Sequence, residues 1–266
     1  MSVTIIGCGW LGFPLGKELV NQGRLVNGSV RDDAKLKSID NAGITSFLLN
    51  LEQSTHISET ITESTEVLII CTPPLYKNEP KKYQHILNEL LDQFSNETLV
   101  IFTSSTGIYP KTANNFVESF ELNFLQDSSA LILAEETIRQ SRKAYAIFRL
   151  GGLIGPNRHP IRFLQGRKDV KNPNGPINFV HQGDCIRAIV ETIKNKAIRG
   201  TFNLVYPDHP TRKEYYSIAA KHYGLEVPTF SNEPSTQRII SSEKITHDFS
   251  FEFKFPIDNY PQLNFS

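Results

Sequence analysis

The chain has 266 residues, 39% of them hydrophobic, and its 28 Lys and Arg balance its 28 Asp and Glu. The balance gives no reason to expect nucleic acid as a partner, and no apolar run approaches the ~20 residues of a membrane span. The length suits one large domain, or a core with a small added lobe.

An apolar run at residues 3–6 opens the chain and leads straight into Gly7-Cys8-Gly9-Trp10-Leu11-Gly12, ahead of a helix-like stretch at 11–21. Strand-like runs follow at 25–30, 46–50, 67–71, 99–103 and 144–148. They alternate with helix-like segments at 33–42, 57–63, 80–94 and 130–141. Val67-Leu68-Ile69-Ile70 is continuously apolar, as a parallel strand covered on both faces requires. This alternation predicts an α/β fold, a Rossmann-like doubly wound parallel sheet with a small C-terminal substrate lobe. After Gly155-Pro156 the texture becomes polar and rich in Pro, Gly and basic residues. A strand at 201–205, helices at 184–194 and 213–222, and a strand at Arg238-Ile239-Ile240 are expected beyond it. The expected division is a core of 1–155, to which 177–205 returns, and a smaller substrate-side lobe of 156–266.

The order strand, GxGxxG, helix is the start of a dinucleotide-binding unit. Gly7 allows the tight turn, Gly9 lets the backbone approach a pyrophosphate, and Gly12 lets the helix pack close to the strand. The helix N-terminus offers N–H groups and the positive end of its dipole to the phosphates. Trp10 and Leu11 belong to the same turn, and Thr72, Thr103 and Ser104 at the ends of later strands complete the expected cofactor contacts. The second strand ends in Gly28-Ser29-Val30-Arg31, with no acid at its end to bond the ribose hydroxyls. Ser29 and Arg31 suit a 2′-phosphate, so NADP is expected over NAD. Asp32 and Asp33 follow at once, and either reaches a ribose if the strand ends later.

Four later segments carry a family likeness. Val100-Ile101-Phe102-Thr103-Ser104-Ser105-Thr106-Gly107-Ile108-Tyr109 resembles the strand and turn ending in S-S-x-x-V-Y of extended short-chain dehydrogenases/reductases. Phe148-Arg149-Leu150-Gly151-Gly152-Leu153-Ile154-Gly155-Pro156 resembles that family's R-x-x-x-x-Y-G-P segment, with Ile154 in place of Tyr. Phe179-Val180-His181-Gln182-Gly183-Asp184 looks like its F-V-H-x-x-D, and Ser241-Ser242-Glu243-Lys244-Ile245 resembles its C-terminal element. The resemblance runs through nearly the whole chain. It implies an atypical NAD(P)-dependent epimerase/dehydratase-like protein, acting by hydride transfer on a nucleotide-sugar or similar carbinol or carbonyl substrate.

Two departures stand beside these matches. The extended family has GxxGxxG, whose first Gly falls on Ile6 here. The family's Y-x-x-x-K precedes a helix that resembles Leu133-Ala134-Glu135-Glu136-Thr137-Ile138-Arg139, which puts Asp127 at the Tyr position and Leu131 at the Lys position. The usual Tyr is a general acid/base assisted by the Lys, and Leu131 has no charge to offer. Ser105 matches the family's hydroxyl that holds the reacting oxygen, and Tyr109 and Asp127 are the candidates for moving the proton. Thr106 is placed to share the Ser105 role, and Glu135 and Glu136 read as a solvated helix face.

Arg158, His159, Arg162, Arg167 and Lys168 form a basic stretch. The resemblance places substrate there, possibly phosphorylated, with Arg158, His159, Arg162 and Lys168 as its contacts. His159 and His181 show no metal spacing, so no metal is expected. The alternative class is a catalytically inactive NADP-binding redox sensor, which the missing Tyr/Lys dyad favours. A β-hydroxyacid-type dehydrogenase also starts with GxGxxG, but the Pro-rich tail after Gly224 speaks against its long helical domain. Cys8, Cys71 and Cys185 form no CxxC and are odd in number, which suits reduced thiols. With no leader expected before the first strand, the expected location is the cytoplasm. Members of this family commonly pair through helices matching 80–94 and 130–141, which allows a homodimer and leaves the oligomeric state open.

Overall fold

A computed structural model describes residues 1–74, 79–122, 129–195 and 197–264. In chain order the first half forms β1 (Ser2–Ile6), α1 (Gly12–Asn21), β2 (Leu25–Val30), α2 (Leu36–Asp40), β3 (Thr45–Leu48), α3 (Glu59–Ser64), β4 (Val67–Ile70), α4 (Pro80–Asp92) and β5 (Leu99–Ser105). The rest forms β6 (Asn114–Phe116), α5 (Ala130–Gln140), β7 (Tyr145–Leu150), β8 (Gly152–Ile154), β9 (Phe179–His181), α6 (Gln182–Lys194), β10 (Gly200–Leu204), α7 (Arg212–His222), β11 (Arg238–Ile240) and α8 (Glu243–Phe249). Among the described residues, seven strands make one sheet in the order β10-β7-β5-β4-β1-β2-β3. β1 lies parallel to both β2 and β4, β2 to β3, and β4 to β5. The chain therefore steps outward from β1 to β3, then starts again on the other side at β4. The point between β1 and β4 is the topological switch point, where ligands of such sheets bind.

The chain divides into two compact units. The first comprises Met1–Ile108, Glu121–Phe148 and Ile189–Thr201, and the second Tyr109–Phe120, Arg149–Ala188 and Phe202–Ser266. In the first unit the apolar strands bury Ile6, Leu68, Ile70, Val100 and Phe102 against the inner faces of α4 and α5. α4 starts on Pro80, whose fixed φ and missing N–H suit a first helical turn. Its Tyr83, Ile86, Leu87, Leu90 and Leu91 recur at helical spacing on the buried side. Beyond its last turn, the buried Lys143 ammonium donates to the carbonyls of Phe94 (2.8 Å) and Ser95 (3.2 Å). A cation at a helix C-terminus satisfies free carbonyls and opposes the dipole. The α5 start is fixed by Ser129, whose hydroxyl accepts the Ile132 N–H.

The predicted solvated face of α5 requires correction. Glu136 is half-exposed, but Glu135 is 0% exposed. Its carboxylate accepts from the Ser104 hydroxyl of β5 at 2.7 Å and from Arg139 one helical turn on at 2.5 Å. A buried carboxylate persists only when paired in this way. The predicted helix at 33–42 is also divided. Asp32 accepts the Ala34 N–H at 3.0 Å and starts a short 3₁₀ turn, Asp33–Lys35, before α2.

In the second unit β8 pairs with β9 and β6 with β11, both in parallel. α7, capped by Thr211, packs Tyr215, Tyr216, Ala219 and Ala220 on Ile154, Ile161, Phe179 and Ile257. Asp184, in the first turn of α6, is fully buried. Its carboxylate accepts the backbone N–H groups of Lys254 (2.9 Å) and Phe255 (3.2 Å) and pairs with Arg187. The His181 ring stacks on Phe255 at 4.7 Å. The F-V-H-x-x-D segment thus fastens the C-terminal tail.

Candidate functional site

A cleft of about 370 Å³ opens in the first unit at the switch point, lined by Gly7, Cys8 and Gly9 after β1, Ser29 to Asp32 at the end of β2, Leu49 to Leu51 after β3, and Cys71 to Pro73 after β4, with Lys35 at its rim. The turn after β1 is held from two sides. The Gly7 N–H donates to the Ser29 hydroxyl at 2.9 Å, and the Cys8 N–H to the Ser29 carbonyl at 2.8 Å. Ser29 is 2% exposed, and this bond uses its oxygen as an acceptor and leaves its proton unused. Burial pushes the thiols of Cys8 and Cys71 up to about 12, so both are neutral in the cleft wall.

The three glycines of the turn have different physical reasons. Gly7 has φ +99°, a conformation that L side chains rarely adopt. At Gly12 a Cβ would lie 2.2 Å from the Gly7 carbonyl oxygen, so the turn and α1 exclude any side chain. Gly9 has neither constraint. Its φ lies outside the left-handed region, it is exposed, and a Cβ there would meet no protein atom within 4 Å. The protein's own packing does not account for Gly9, whereas close approach of a phosphate to the backbone does. The N-terminus of α1 beside it has no side-chain cap and no acid in its first turn, which leaves its positive end to a ligand. The residues present fit a dinucleotide.

Of the sequence-predicted cofactor residues, Gly7, Gly9, Ser29, Arg31 and Thr72 line this cleft. Leu11 and Gly12 are buried behind the turn, and Trp10 is half-buried. The Thr103 hydroxyl donates to the Ile70 carbonyl, and Ser104 is turned away into its bond with Glu135. Lys35, Asn50 and Leu51 also face the cleft but carry no motif in the sequence. Lys35 arrives there because the Asp32 cap turns the chain, and the other two because β3 ends beside β2.

Ser105 ends β5 half-exposed, its oxygen accepting the Gly107 N–H at 3.0 Å. Thr106 is buried in the 3₁₀ turn that follows. Tyr109, in the second unit, is 2% exposed. Its hydroxyl accepts from Arg149 (2.7 Å) and donates toward the Asn203 side-chain oxygen (2.7 Å) and the Val117 carbonyl (3.2 Å). Burial raises its phenol pKa against the opposing Arg149 charge. The Asn203 N–H donates to Glu118, whose carboxyl burial holds above the usual range. Asp127 lies outside the described residues.

Arg158 and Lys168 are exposed, and Arg162 donates to the Asn157 carbonyl. His159 is buried instead of facing solvent from the basic loop. Tyr215 donates its hydroxyl proton to the Ile257 carbonyl, so that oxygen accepts from His159 Nε2, while Nδ1 accepts the Ile161 N–H. This network assigns a neutral Nε2–H tautomer. Burial, with a smaller effect of His222, lowers the imidazole pKa to about 4. No group of metal-ligating side chains occurs among the described residues.

A parallel doubly wound sheet with a glycine-turned cleft at its switch point defines a Rossmann-type dinucleotide-binding protein, of epimerase/dehydratase-like fold. The chain belongs to the NAD(P)H-binding family, whose model matches residues 7–195. It is 30% identical to Protein YeeZ of Escherichia coli K12 over 270 residues, covering 96% of each chain. Among solved structures, it resembles the Bordetella bronchiseptica enzyme WbmH in complex with NAD+, with a TM-score of 0.78 at 14% identity over 97% of this chain and 94% of that one. UDP-glucuronic acid 4-epimerase from Bacillus cereus in complex with NAD gives 0.76 at 14%, over 97% and 93%. A functionally unknown conserved protein from Silicibacter pomeroyi gives 0.77 at 18%, over 97% and 95%. At these identities the likeness to solved structures is one of fold.

Proposed function

We propose that the chain binds NADP(H) in preference to NAD(H) and uses it for hydride transfer on a carbinol or carbonyl carbon of a nucleotide-linked sugar or similar substrate. The observation that carries the preference is the rim of the cleft. Arg31 and Lys35 stand there together, while the Asp32 carboxylate is engaged by the Ala34 N–H. Two cations beside an acid that has one oxygen taken by the Ala34 N–H suit a 2′-phosphate better than a ribose diol. When bound, the nicotinamide supplies or accepts the hydride. The chain holds the phosphates over Gly9, and the Ser105 proton, unused by its Gly107 bond, is available to a reacting oxygen. In this reading residues 1–155, with 177–205, form the dinucleotide core, and 156–266 the substrate side. Arg158, Arg162 and Lys168 there suit a phosphorylated substrate.

A sensor without catalysis is the second reading, and one observation favours it. The Tyr109 hydroxyl, one Arg149 nitrogen and the Asp184 carboxylate, in the segments that carry the family likeness, all bond within the second unit. We also place the protein in the cytoplasm as a homodimer paired through α4 and α5. On α4 the exposed Lys81 and Lys82 stand in the first turn and the exposed Glu89 and Asp92 near the last, against the helix's own dipole. An antiparallel α4 of a second copy sets each pair opposite its counter-charge.

Fluorescence titration with NADPH and NADH tests the cofactor reading. Tight NADPH binding, weakened by Arg31→Ala and more weakly matched by NADH, is the expected result. Equal affinities, unaffected by Arg31→Ala, sink the NADP preference, and no binding of either nucleotide near millimolar concentration sinks the whole reading.

A further inference from the structure

The first three N–H groups of the glycine turn are spent within the first unit. Gly9 donates to the Gly7 carbonyl at 2.8 Å, Cys8 to the Ser29 carbonyl at 2.8 Å, and Gly7 to the Ser29 hydroxyl at 2.9 Å. Ser29 of β2 thus takes two of the three, one with its backbone and one with its side chain. The side-chain bond stands apart, because it reaches a glycine whose φ of +99° carries the chain out of β1. A partly buried N–H that leaves a strand needs a new acceptor.

Burial separates Ser29 from the cation that follows it in sequence. Ser29 is 2% exposed and its neighbours Gly28 and Val30 are buried, whereas Arg31, just past the end of β2, is exposed at the cleft rim. An apolar residue would suit so enclosed a strand position, as it does at Val26 and Val30. The turn accounts for a hydroxyl there.

We infer that Ser29 is a positioning residue for the turn and not a contact of the 2′-phosphate. Its hydroxyl fixes Gly7, and through it the approach at Gly9, for the pyrophosphate, while Arg31 and Lys35 face the 2′-phosphate. The inference rests on the dinucleotide reading of the cleft. NADPH and NADH share the pyrophosphate and differ in the 2′-phosphate, so the two tasks separate. Losing a turn anchor lowers affinity for both nucleotides by one factor, through the fraction of chains whose turn is ready to bind. Losing a phosphate contact lowers it for NADPH alone.

The test is titration of the full chain, Ser29→Ala, Ser29→Cys and Arg31→Ala with NADPH and with NADH, each well below its unfolding midpoint. Ser29→Ala is expected to weaken both nucleotides about three- to tenfold, the range of one net hydrogen bond, since the Cys8 bond to the Ser29 carbonyl remains. The ratio of the two affinities should stay that of the parent, whereas Arg31→Ala should change it. Ser29→Cys keeps the volume but offers only a weak acceptor, and should resemble Ser29→Ala. In the unliganded chain, amide exchange at Gly7 should quicken in Ser29→Ala and not in Arg31→Ala.

A Ser29→Ala chain that melts earlier but binds both nucleotides as the parent does makes Ser29 structural only, and the inference falls. It falls equally if NADPH alone is weakened, which makes the hydroxyl a 2′-phosphate contact, or if exchange at Gly7 is unchanged. In each of these cases the parent still binds and the dinucleotide reading stands. If the parent binds neither nucleotide at millimolar concentration, both fall.

Discussion

Replacing Gly9 and Gly12 separately by alanine should divide the work of the glycine turn into folding and binding. At Gly12 the new methyl would sit 2.2 Å from the Gly7 carbonyl oxygen and 3.2 Å from Ile5 Cγ2. An ordinary contact needs about an ångström more, and the obstructing atom is backbone, held in place through the Gly7 and Cys8 bonds to Ser29. Overpacking of this kind costs about 1–3 kcal/mol or more, of which the better helix propensity of alanine returns at most about 1. A net loss of about 2 kcal/mol lowers the unfolding midpoint by roughly 4–8 °C in a chain of this size. At Gly9 no protein atom lies within 4 Å of the new methyl, so stability should change by less than about 0.5 kcal/mol. Affinity for NADPH should nonetheless fall at least about tenfold, because the methyl occupies the approach of the pyrophosphate. Circular dichroism melts and fluorescence titrations on the two variants measure both quantities. A Gly9→Ala chain that binds as the parent does, or melts as early as Gly12→Ala, would refute the division.

Three further outcomes are expected. His159 has a folded pKa of about 4 against an ordinary 6.5, so the unfolded chain binds the extra proton. Its contribution is therefore complete above pH 6.5 and lost as pH falls toward 4, roughly 3 kcal/mol in all. An NMR titration showing this imidazole protonating near 6.5 contradicts the buried neutral tautomer. Glu135→Ala strands the buried Ser104 hydroxyl and removes the short Arg139 pair, leaving that guanidinium Glu136 at 3.7 Å and Thr201 at 3.4 Å, and should lose about 2–4 kcal/mol in urea unfolding, with Glu135→Gln losing roughly half as much. A loss under about 1 kcal/mol from the alanine variant means the network is dispensable. If the homodimer pairs α4 against α4, Lys81→Glu/Lys82→Glu and Glu89→Lys/Asp92→Lys should each sediment as monomers and dimerise when mixed. A monomeric parent chain removes that proposal.

The alternation of elements was legible because buried parallel strands are continuously apolar, and Val67–Ile70 and Leu99–Ser105 sit where their hydrophobic runs lie. The glycine turn was legible for the same local reason, since its spacing encodes its geometry. Contacts between distant residues were not. Glu135 looks like half of a solvated pair until β5 brings Ser104, 31 residues away, against it. His159 sits in a basic stretch, yet its ring is taken by Tyr215, 56 residues on. Lys35 reaches the cleft through a turn set by one Asp32 hydrogen bond, too small a signal to read in advance. The strand order that makes β1 and β4 neighbours, and so places Thr72 beside Gly7, is likewise a property of the whole sheet.

The clamp on Asp184 has a consequence for how the second unit is made. A carboxylate at the start of α6 waits for backbone N–H groups 70 and 71 residues downstream. During synthesis α6 is therefore out of the ribosome well before its own buried acid can be satisfied. Until residues 254 and 255 emerge, that acid keeps its water or rests on Arg187 alone, and the helix start cannot close over it. The last step of assembling this unit thus waits for residues 254 and 255, and a chain halted before Lys254 should expose that helix end to proteases.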